Sequence, residues 1–300
     1  MKKKTYLFAL MAMALTLGSC SDNENGIGGE TSKYITVSTS IGNMTRVATD
    51  EKGGQTFEEG DEISVYAWTG DATVAPETRE RVVNNAINKL TNGSWVSTPQ
   101  MLWKNNRDKH YFIGVYPTAA ISDLSAGEYT FDETKQVESD LLVAVNKDGL
   151  SYNVDEQQPV PLTFTHVMAK LVVNLTYKNQ WGGIPTVEKV VVGNAAKEAT
   201  INYLTKVVTP STTAKEDFSL PEITENTKYV SVIIPQEDVK QLTIVIGGKN
   251  FVYDNGTPFK LESGKITTVN LEVGRDEIKL GDVKITDWEN GSTFSGEALN

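Results

Sequence analysis

The chain has few side chains that could act as a nucleophile, a general base or a metal ligand. It contains two histidines, His110 and His166, and one cysteine, Cys20. A nucleophilic triad needs a base, usually histidine, beside a nucleophile, and no Gly-x-Ser-x-Gly turn is present. The sequence also lacks zinc-ligand spacing, a phosphate-binding glycine loop and a dinucleotide fingerprint. We therefore expect no enzyme activity, no cofactor and no metal site.

Carboxylates and tryptophans leave two alternatives open. A pair of carboxylates in a cleft could hydrolyse a glycosidic bond, but an acidic chain offers such pairs by chance. Acidic groups such as Asp132-Glu133 could hold Ca²⁺, although such groups are more often solvated. Tryptophans can stack on sugars but more often fill cores. A surface glycan-binding role is the alternative function, with these tryptophans as its candidates: Trp68, Trp95, Trp103, Trp181 and Trp288.

The N-terminus carries the features of an export signal. Residues 2–4 are lysines, and residues 6–17 form an apolar stretch of about a dozen residues, shorter than the ~20 needed to span a bilayer. The stretch ends in Leu17-Gly18-Ser19-Cys20, which resembles the bacterial lipobox. We predict that residues 1–19 are a lipoprotein signal peptide and that Cys20 is the lipidation site. Several acyl chains on one cysteine give a stable anchor, because each buried CH₂ adds ~0.8 kcal/mol.

The charge of the mature chain points away from nucleic acid as a partner. The net charge is −11, and loss of three lysines with the signal peptide makes it about −14. Residues 20–32 are polar, acidic and Gly-rich, which predicts a flexible tether. Acidic residues directly after a lipidated cysteine resemble the signal that places lipoproteins on the outer face of the outer membrane. We therefore expect a surface-exposed protein anchored in the cell outer membrane.

Short strand patterns separated by turns fill the mature chain, and no amphipathic helix exceeds two turns. The longest strand-forming run covers residues 162–175, and its apolar residues change from even to odd positions near His166. Such a change moves the buried face to the other side of the strand. A chain of this length is expected to form two domains. We therefore predict β-sandwich domains at residues 33–158 and 159–300, joined at this run.

Three further segments complete the sequence-based description. Residues 43–60 are polar and lie between strand patterns at residues 34–41 and 61–68, so they predict an exposed loop that proteases can reach. Residues 194–215 are polar and Thr-rich and predict a long excursion. Residues 242–253 predict a hairpin, because glycines supply the positive φ angles of a tight turn.

The order and spacing of four stretches resemble a known family. The stretches are Thr45-Arg46 with residues 57–66, residues 139–144, residues 160–171, and residues 261–265 continued by residues 285–291. Together with the lipobox, they resemble the fimbrillin-like lipoproteins, relatives of the major and minor fimbrillins of Gram-negative anaerobes. The resemblance covers nearly the whole mature chain.

The resemblance implies a fold and a mode of assembly. The implied fold is all-β, with two transthyretin-like (Greek-key) β-sandwich domains in tandem. The implied role is a fimbrial (pilus) subunit, or a tip or anchor accessory, that mediates adhesion to a host or bacterial surface glycan or protein. In polymerising members an Arg-specific protease cuts after the first strand, and a strand of the next subunit fills the groove. The position that matches this cut is Arg46, and the implied partners are other fimbrial subunits.

The donor strand of such an exchange is expected in the C-terminal segment, residues 279–300. Its candidate anchors are Val283, Ile285 and Phe294. The tail after residue 290 is short and rich in Gly and Ser, which is weak material for a long buried strand. This departure favours a tip, anchor or other terminal subunit over a stalk subunit.

Overall fold

A computed structural model describes residues 33–42, 56–136, 138–153 and 158–288. These residues form an all-β protein, as predicted, in which the helical turns are two short 3-10 segments, Thr78–Glu80 and Asn179–Trp181. No helix in these ranges is long and apolar enough to cross a membrane. The strands are β1 (Val37–Ile41), β2 (Glu62–Thr69), β3 (Val83–Thr91), β4 (Ser94–Thr98), β5 (His110–Tyr116), β6 (Gly127–Thr130), β7 (Leu142–Leu150), β8 (Val160–His166), β9 (Ala169–Tyr177), β10 (Val187–Ala196), β11 (Glu198–Asn202), β12 (Val207–Pro210), β13 (Lys215–Leu220), β14 (Glu222–Thr224), β15 (Lys228–Ile233), β16 (Gln236–Ile246), β17 (Lys249–Leu261), β18 (Lys265–Val273) and β19 (Ile278–Asp287).

The first large sheet has seven strands in the order β1-β8-β7-β5-β2-β3-β4. Strand β1 lies at one edge and runs parallel to β8, whereas the other pairs are antiparallel. One face of the sheet buries a compact cluster, called here the N-terminal core. Its members are Ile35, Val37, Ile41, Ile63, Val65, Ala67, Val83, Ala86, Met101, Phe112, Leu142, Ala144, Val160, Leu162 and Phe164.

The other face of the same sheet enters a second, larger cluster, called here the shared core. Tyr66 and Trp68 of β2 belong to it, together with Val190 of β10 and Leu171 of β9. Alternate residues of β2 therefore point into different cores, as the period of two along a strand requires. The shared core also fills the space between the four-stranded sheet β13-β10-β16-β17 and the five-stranded sheet β14-β15-β9-β18-β19.

The chain changes sheets directly after His166. Strand β8 ends there within the seven-stranded sheet, and β9 begins at Ala169 within the five-stranded sheet. Leu162 and Phe164 belong to the N-terminal core, whereas Leu171 belongs to the shared core. The reversal of apolar positions in the sequence coincides with this change, because each strand has to aim its apolar face at its own core.

A small sheet, β12-β11-β6, connects the two halves of the chain. Strand β6 comes from the first half and pairs with β11 from the second, with Tyr129 opposite Ala199. Two loop bonds extend this contact, from Phe131 N to Lys197 O (2.8 Å) and from Tyr203 N to Leu124 O (2.9 Å). The shared core contains side chains from both halves, and the described residues from Lys33 to Trp288 form one compact unit. The division into domains at residues 158/159 stays a prediction.

The expectation of a plain excursion over residues 194–215 was wrong, because this segment contains β11 and β12. Ala199 and Ile201 alternate with polar residues and are buried, 6% and 0% exposed. A short strand of this kind needs only two buried apolar residues, so it cannot be recognised from the polar composition of the segment. The predicted hairpin is confirmed as β16 and β17, joined at Gly247-Gly248 with φ angles of 59° and 71°.

The close packing of Tyr203 and Ile121 against β6 predicts the effect of a side chain at Gly127. A Cβ atom there would lie 2.5 Å from Cε2 of the buried Tyr203 ring and 3.2 Å from Cγ2 of Ile121. We expect Gly127→Ala to lower the free energy of unfolding by about 1–3 kcal/mol, the usual cost of overpacking. Urea unfolding would measure it. The control is Glu128→Ala at the exposed neighbour, expected within about 0.5 kcal/mol of wild type. Equal stability of the two variants would contradict the prediction.

Candidate functional site

Residues 33–41, called here the closing segment, include β1, which is the edge strand of the seven-stranded sheet. Their C-terminal part is β1, which pairs with β8. Val160 N donates to Thr36 O (2.8 Å), and Gly42 N donates to Phe164 O (2.8 Å). These two bonds bracket the parallel register of β1 on β8. The C-terminal part of the closing segment is thus held by the backbone of β8.

The N-terminal part of the same segment bonds to a different piece of chain. Ile35 N donates to Met101 O (2.9 Å), and Trp103 N donates to Lys33 O (3.1 Å). Residues 101–103 follow β4, the strand at the opposite edge of the sheet. The sheet is therefore curled, and the closing segment joins its two edges. The space that this segment fills, between β8 and residues 101–103, is called here the groove.

Three aliphatic side chains anchor the closing segment in the groove. Ile35 is 1% exposed, and Val37 and Ile41 are each 6% exposed. All three belong to the N-terminal core, and burial of each side chain contributes about 1.5–3 kcal/mol. They lie on one face because side chains alternate along a strand. The half-buried Thr39 occupies the remaining position of that face.

Four aromatic side chains, called here the aromatic roof, cover the C-terminal end of the groove: Phe57, Trp95, Tyr116 and Phe164. The Phe57 ring packs edge-on against Trp95 (5.3 Å between centroids), Tyr116 (5.3 Å) and Phe164 (5.1 Å). Such edge-to-face contacts favour one fixed arrangement of the rings. Trp95 Nε1 donates to Thr39 Oγ1 (3.0 Å), so the roof also contacts the closing segment directly.

A buried histidine supports the wall of the groove. His110 is fully buried; its Nε2 accepts from Lys104 N (3.1 Å), and its Nδ1 lies 3.1 Å from Asp108 O, to which it donates. The Trp103 ring packs edge-on against the imidazole at 5.0 Å. Burial lowers the pKa of His110 below its ordinary value of 6.5, against the opposing hydrogen bond to Asp108. The histidine is therefore a neutral structural group.

The second histidine lies at the junction of β8 and β9 and has no catalytic partner among the described residues. His166 Nδ1 donates to Asp140 Oδ1 (2.8 Å), and its ring stacks on Trp288 at 4.0 Å and 6°. Its Nε2 is buried without a hydrogen-bond partner in that part of the chain. Lys170 Nζ lies 5.2 Å from the Trp288 ring, and burial lowers the pKa of Lys170 to about 8. This cluster packs the end of β19 against β8.

The carboxylates of a surface cleft of about 760 Å³ are also engaged in local structure. Asp71 Oδ1 accepts from the backbone and the hydroxyl of Thr73, both at 2.7 Å, and these bonds lower the pKa of Asp71. Glu80 Oε2 accepts from Glu77 N (3.1 Å). An ionised, hydrogen-bonded Asp71 is unsuited to act as a general acid. Within the described ranges no three His, Cys, Asp or Glu side chains are placed to hold a metal.

The structure leaves two predicted site residues outside its description and accounts for the tryptophans. Cys20 and Arg46 lie outside the described residues; Arg46 falls between Gly42 and Thr56, the nearest described positions. None of the tryptophans is exposed: Trp68 and Trp288 are buried, and the others are half-buried. Sequence reasoning missed the contact of Trp95 with the closing segment. The signal available was Thr39, a lone polar residue within an otherwise aliphatic row.

The family is decided by comparison with known proteins. The fimbrillin-like family model matches residues 45–288, more than half of the chain. The chain belongs to the fimbrillin-like family. Fimbrillin-like proteins are structural proteins, so the prediction that this fimbrillin-like chain is not an enzyme is confirmed.

Similar proteins of known sequence or structure come from species of Bacteroides. A Bacteroides uniformis protein described as a candidate fimbrium subunit, Fim1C, is 25% identical over 99% of this chain and 100% of its own length. The crystal structure of a candidate cell adhesion protein from Bacteroides ovatus matches with a TM-score of 0.64, at 18% identity over 85% of this chain and 98% of its own. A fimbrial protein from Bacteroides vulgatus matches with a TM-score of 0.53, at 11% identity over 84% and 99%. The two structures share the fold of this fimbrillin-like protein.

The burial of His110 predicts acid sensitivity of the groove wall. The unfolded chain binds a proton near pH 6.5, whereas the folded chain resists protonation because the pKa of His110 is lowered. The contribution of His110 to stability is therefore complete above pH 6.5 and declines as the pH falls below that value. We expect the free energy of unfolding to fall less between pH 7.5 and 5.5 in His110→Asn than in wild type, measured by urea unfolding. A second variant, His110→Gln, covers the case in which Asn folds poorly. The same pH dependence in wild type and variants would disprove the role.

Proposed function

We propose that this fimbrillin-like protein is a non-catalytic fimbrial subunit, or a tip or anchor accessory, that assembles by exchanging its closing segment for a strand of another subunit. The observation that carries the proposal is the closing segment itself. It places Ile35, Val37 and Ile41 deep in the N-terminal core, yet it precedes the segment that contains Arg46. A cut after Arg46 would leave it held by noncovalent contacts alone.

Loss of the closing segment would expose two kinds of surface at once. Backbone groups of β8 and of residues 101–103 would lose their partners, and the groove would present apolar side chains such as Leu162 and Phe164. A strand from another subunit satisfies both needs. If each subunit gives one strand and receives one, the contact is head-to-tail and does not close, so a filament grows.

The names of similar proteins support a role in fimbriae and adhesion. One relative is described as a candidate fimbrium subunit and a structural neighbour as a candidate cell adhesion protein. We therefore place the protein in a surface-exposed fimbrium, with other fimbrial subunits as its partners. The two transthyretin-like sandwiches proposed for residues 33–158 and 159–300 stay a prediction, because the shared core contains side chains from both ranges and the N-terminal core includes Val160, Leu162 and Phe164.

Strand β19 is the proposed donor, within residues 279–300. Val283 and Ile285 lie opposite Val269 and Thr267 of β18, both fully buried, yet they are themselves 40% and 39% exposed. Paired residues of adjacent strands point to the same face, so this edge strand buries its aliphatic side chains only partly. Moving them into the groove of a neighbour would bury more apolar surface. The third candidate anchor, Phe294, lies outside the described residues.

Lipidation of Cys20 is the proposed link of the uncut chain to the outer membrane. The lipobox of residues 17–20 supports it, and the tether of residues 20–32 leaves the folded part free to project from the surface. Glycan or protein ligands on host or bacterial surfaces stay a prediction. Because none of the tryptophans is exposed, they give the glycan-binding alternative little support. Tyr34, which is 48% exposed, is an aromatic side chain that could still contact a sugar.

Limited proteolysis tests the strand-exchange proposal. The mature chain without lipid is treated with a trace of an Arg-specific protease, the new N-terminus is identified by mass spectrometry, and size is followed by light scattering. We expect cleavage after Arg46 followed by growth into oligomers. Arg107 and Arg275 are exposed competing sites whose products the masses distinguish. The control variant Arg46→Lys should stay uncut at this position and monomeric. Cleavage after Arg46 without any growth would contradict self-assembly and move the proposal to a terminal accessory subunit.

Fractionation of a bacterium that expresses the full chain tests the anchor. Wild type should be recovered with the outer membrane and gain the mass of the acyl chains at Cys20. Cys20→Ser removes the thiol that takes the lipid, so this variant should leave the membrane fraction. Recovery of both proteins in the same fraction, without an added mass, would rule out lipidation at this cysteine.

A further inference from the structure

The hydrogen bond between Trp95 and Thr39 connects two strands that are not neighbours in the sheet. Trp95 lies on β4, one edge, and Thr39 lies on β1, the other edge. The indole Nε1 donates to the Thr39 hydroxyl at 3.0 Å, and Thr39 pairs with Leu162 of β8. Trp95 therefore contacts the occupant of the groove through a side chain.

The aromatic roof holds the indole in a fixed position. Phe57 contacts both Trp95 and Phe164 edge-on, and Phe164 lies opposite Ile41 in the β8–β1 register. Indole N–H is a donor only. A strand without an acceptor at this position would bind with a less favourable free energy, because the half-buried indole N–H would lose its hydrogen bond and water could replace it only poorly.

We propose that Trp95 selects the strand that fills the groove. This inference rests on the proposed strand exchange and names the chemistry of the partner. The incoming strand has to carry a side-chain hydrogen-bond acceptor (Ser, Thr, Asn or a carboxylate) opposite Trp95. The incoming strand also has to carry an aliphatic residue two positions before and two positions after the acceptor, as Val37 and Ile41 flank Thr39 in the closing segment. The pattern is symmetric about the acceptor, so it holds for a strand running in either direction.

The proposed donor segment of this chain does not contain that pattern. Within residues 279–300, Asp287 has Ile285 on one side but Glu289 on the other, and Asp282 has Leu280 but Lys284. No acceptor residue of that segment has an aliphatic residue two positions away on both sides. The groove therefore binds a strand from a different subunit that carries the pattern more tightly than the donor segment of a second copy of this chain, whose weaker binding still permits the growth of the cut chain proposed above.

The experiment uses the mature chain with Cys20→Ser and with the recognition sequence of a site-specific protease in place of residues 44–50. This cut does not depend on Arg46, so it separates the selection rule from natural processing. The nicked protein, checked for folding by circular dichroism, is titrated with a fluorescent peptide of residues 33–42, and binding is read by anisotropy. The peptides are wild type, Thr39→Val, and Ser40→Ala as the matched control. The Ser40 side chain donates to the Thr163 hydroxyl (3.2 Å), at the surface.

We expect Thr39→Val to bind about tenfold more weakly than wild type, because a half-buried hydrogen bond is lost. Ser40→Ala should bind within about twofold of wild type, as an exposed bond contributes little. On a Trp95→Phe protein the difference between the wild-type and Thr39→Val peptides should disappear, because the donor is absent. The selection rule would be overturned if the wild-type and Thr39→Val peptides bound equally well to the protein with Trp95. It would also be overturned if Thr39→Val lost as much affinity on the Trp95→Phe protein as on the protein with Trp95.

A second set of peptides tests the preference for another subunit. A peptide of residues 281–291 should displace the closing segment poorly, whereas its Glu289→Ile variant, which completes the pattern around Asp287, should bind about tenfold better. Equal binding of the two would contradict the rule. If no peptide exchanges, strand exchange itself fails, and a Thr39→Val/Trp95→Phe double-mutant cycle in urea unfolding of the intact chain then decides the contact. Additive effects in that cycle would reject it.

Discussion

The parallel pairing of β1 with β8 is the contact on which the N-terminal half of the molecule depends. It lies at a sheet edge, where unpaired backbone would otherwise attract another strand. The closing segment forms one edge of the curled sheet through its bonds to β8, and it also bonds to residues 101–103, which follow the strand at the other edge. One short piece of chain thus completes the hydrogen bonding and supplies three anchors of the N-terminal core. Its removal would open the sheet at a single place.

The consequences of that opening would be confined to one core. The shared core contains no side chain of the closing segment, because it packs on the opposite face of the seven-stranded sheet. The small sheet β12-β11-β6 and its neighbouring loop bonds would also keep their partners. A subunit that exchanges a strand has to stay folded while the groove is open, and the separation of the two cores meets that requirement.

The junction at His166 brings the acceptor and donor regions of the chain close together. Strand β8, one wall of the groove, ends in His166, whose ring stacks on Trp288 directly after β19. Strand β9, which follows at once, pairs with β18, and β18 pairs with β19. One continuous stretch of chain, residues 160–177, therefore supplies both a wall of the groove (β8) and the strand (β9) of the sheet that carries the proposed donor strand β19. The buried His166–Asp140 bond and the stacked Trp288 fix the orientation of these parts.

Local chemistry in the sequence determined the strands and the change of face. Alternating apolar residues specify strands because side chains point to opposite faces, and this holds for Ile63 and Val65 as for Leu171 and Val173. The reversal at His166 was visible for the same reason, and the glycines at 247 and 248 specified a tight turn. The sequence also carried the family through the order of its motifs, and it placed Cys20 and Arg46 in segments that the structure does not describe.

The tertiary structure alone decided which strands are neighbours. Backbone hydrogen bonds are the same for every residue type, so alternation identifies the buried face of a strand but not its partner. Residues far apart in the chain meet where β1 pairs with β8 and where β6 lies beside β11. The two faces of β2 likewise pack against distant residues, because they belong to different cores. The contact of Trp95 with Thr39 exists only because the curled sheet brings its two edges together. A pattern read along the chain has no access to that closure, because it depends on the combined twist and packing of seven strands.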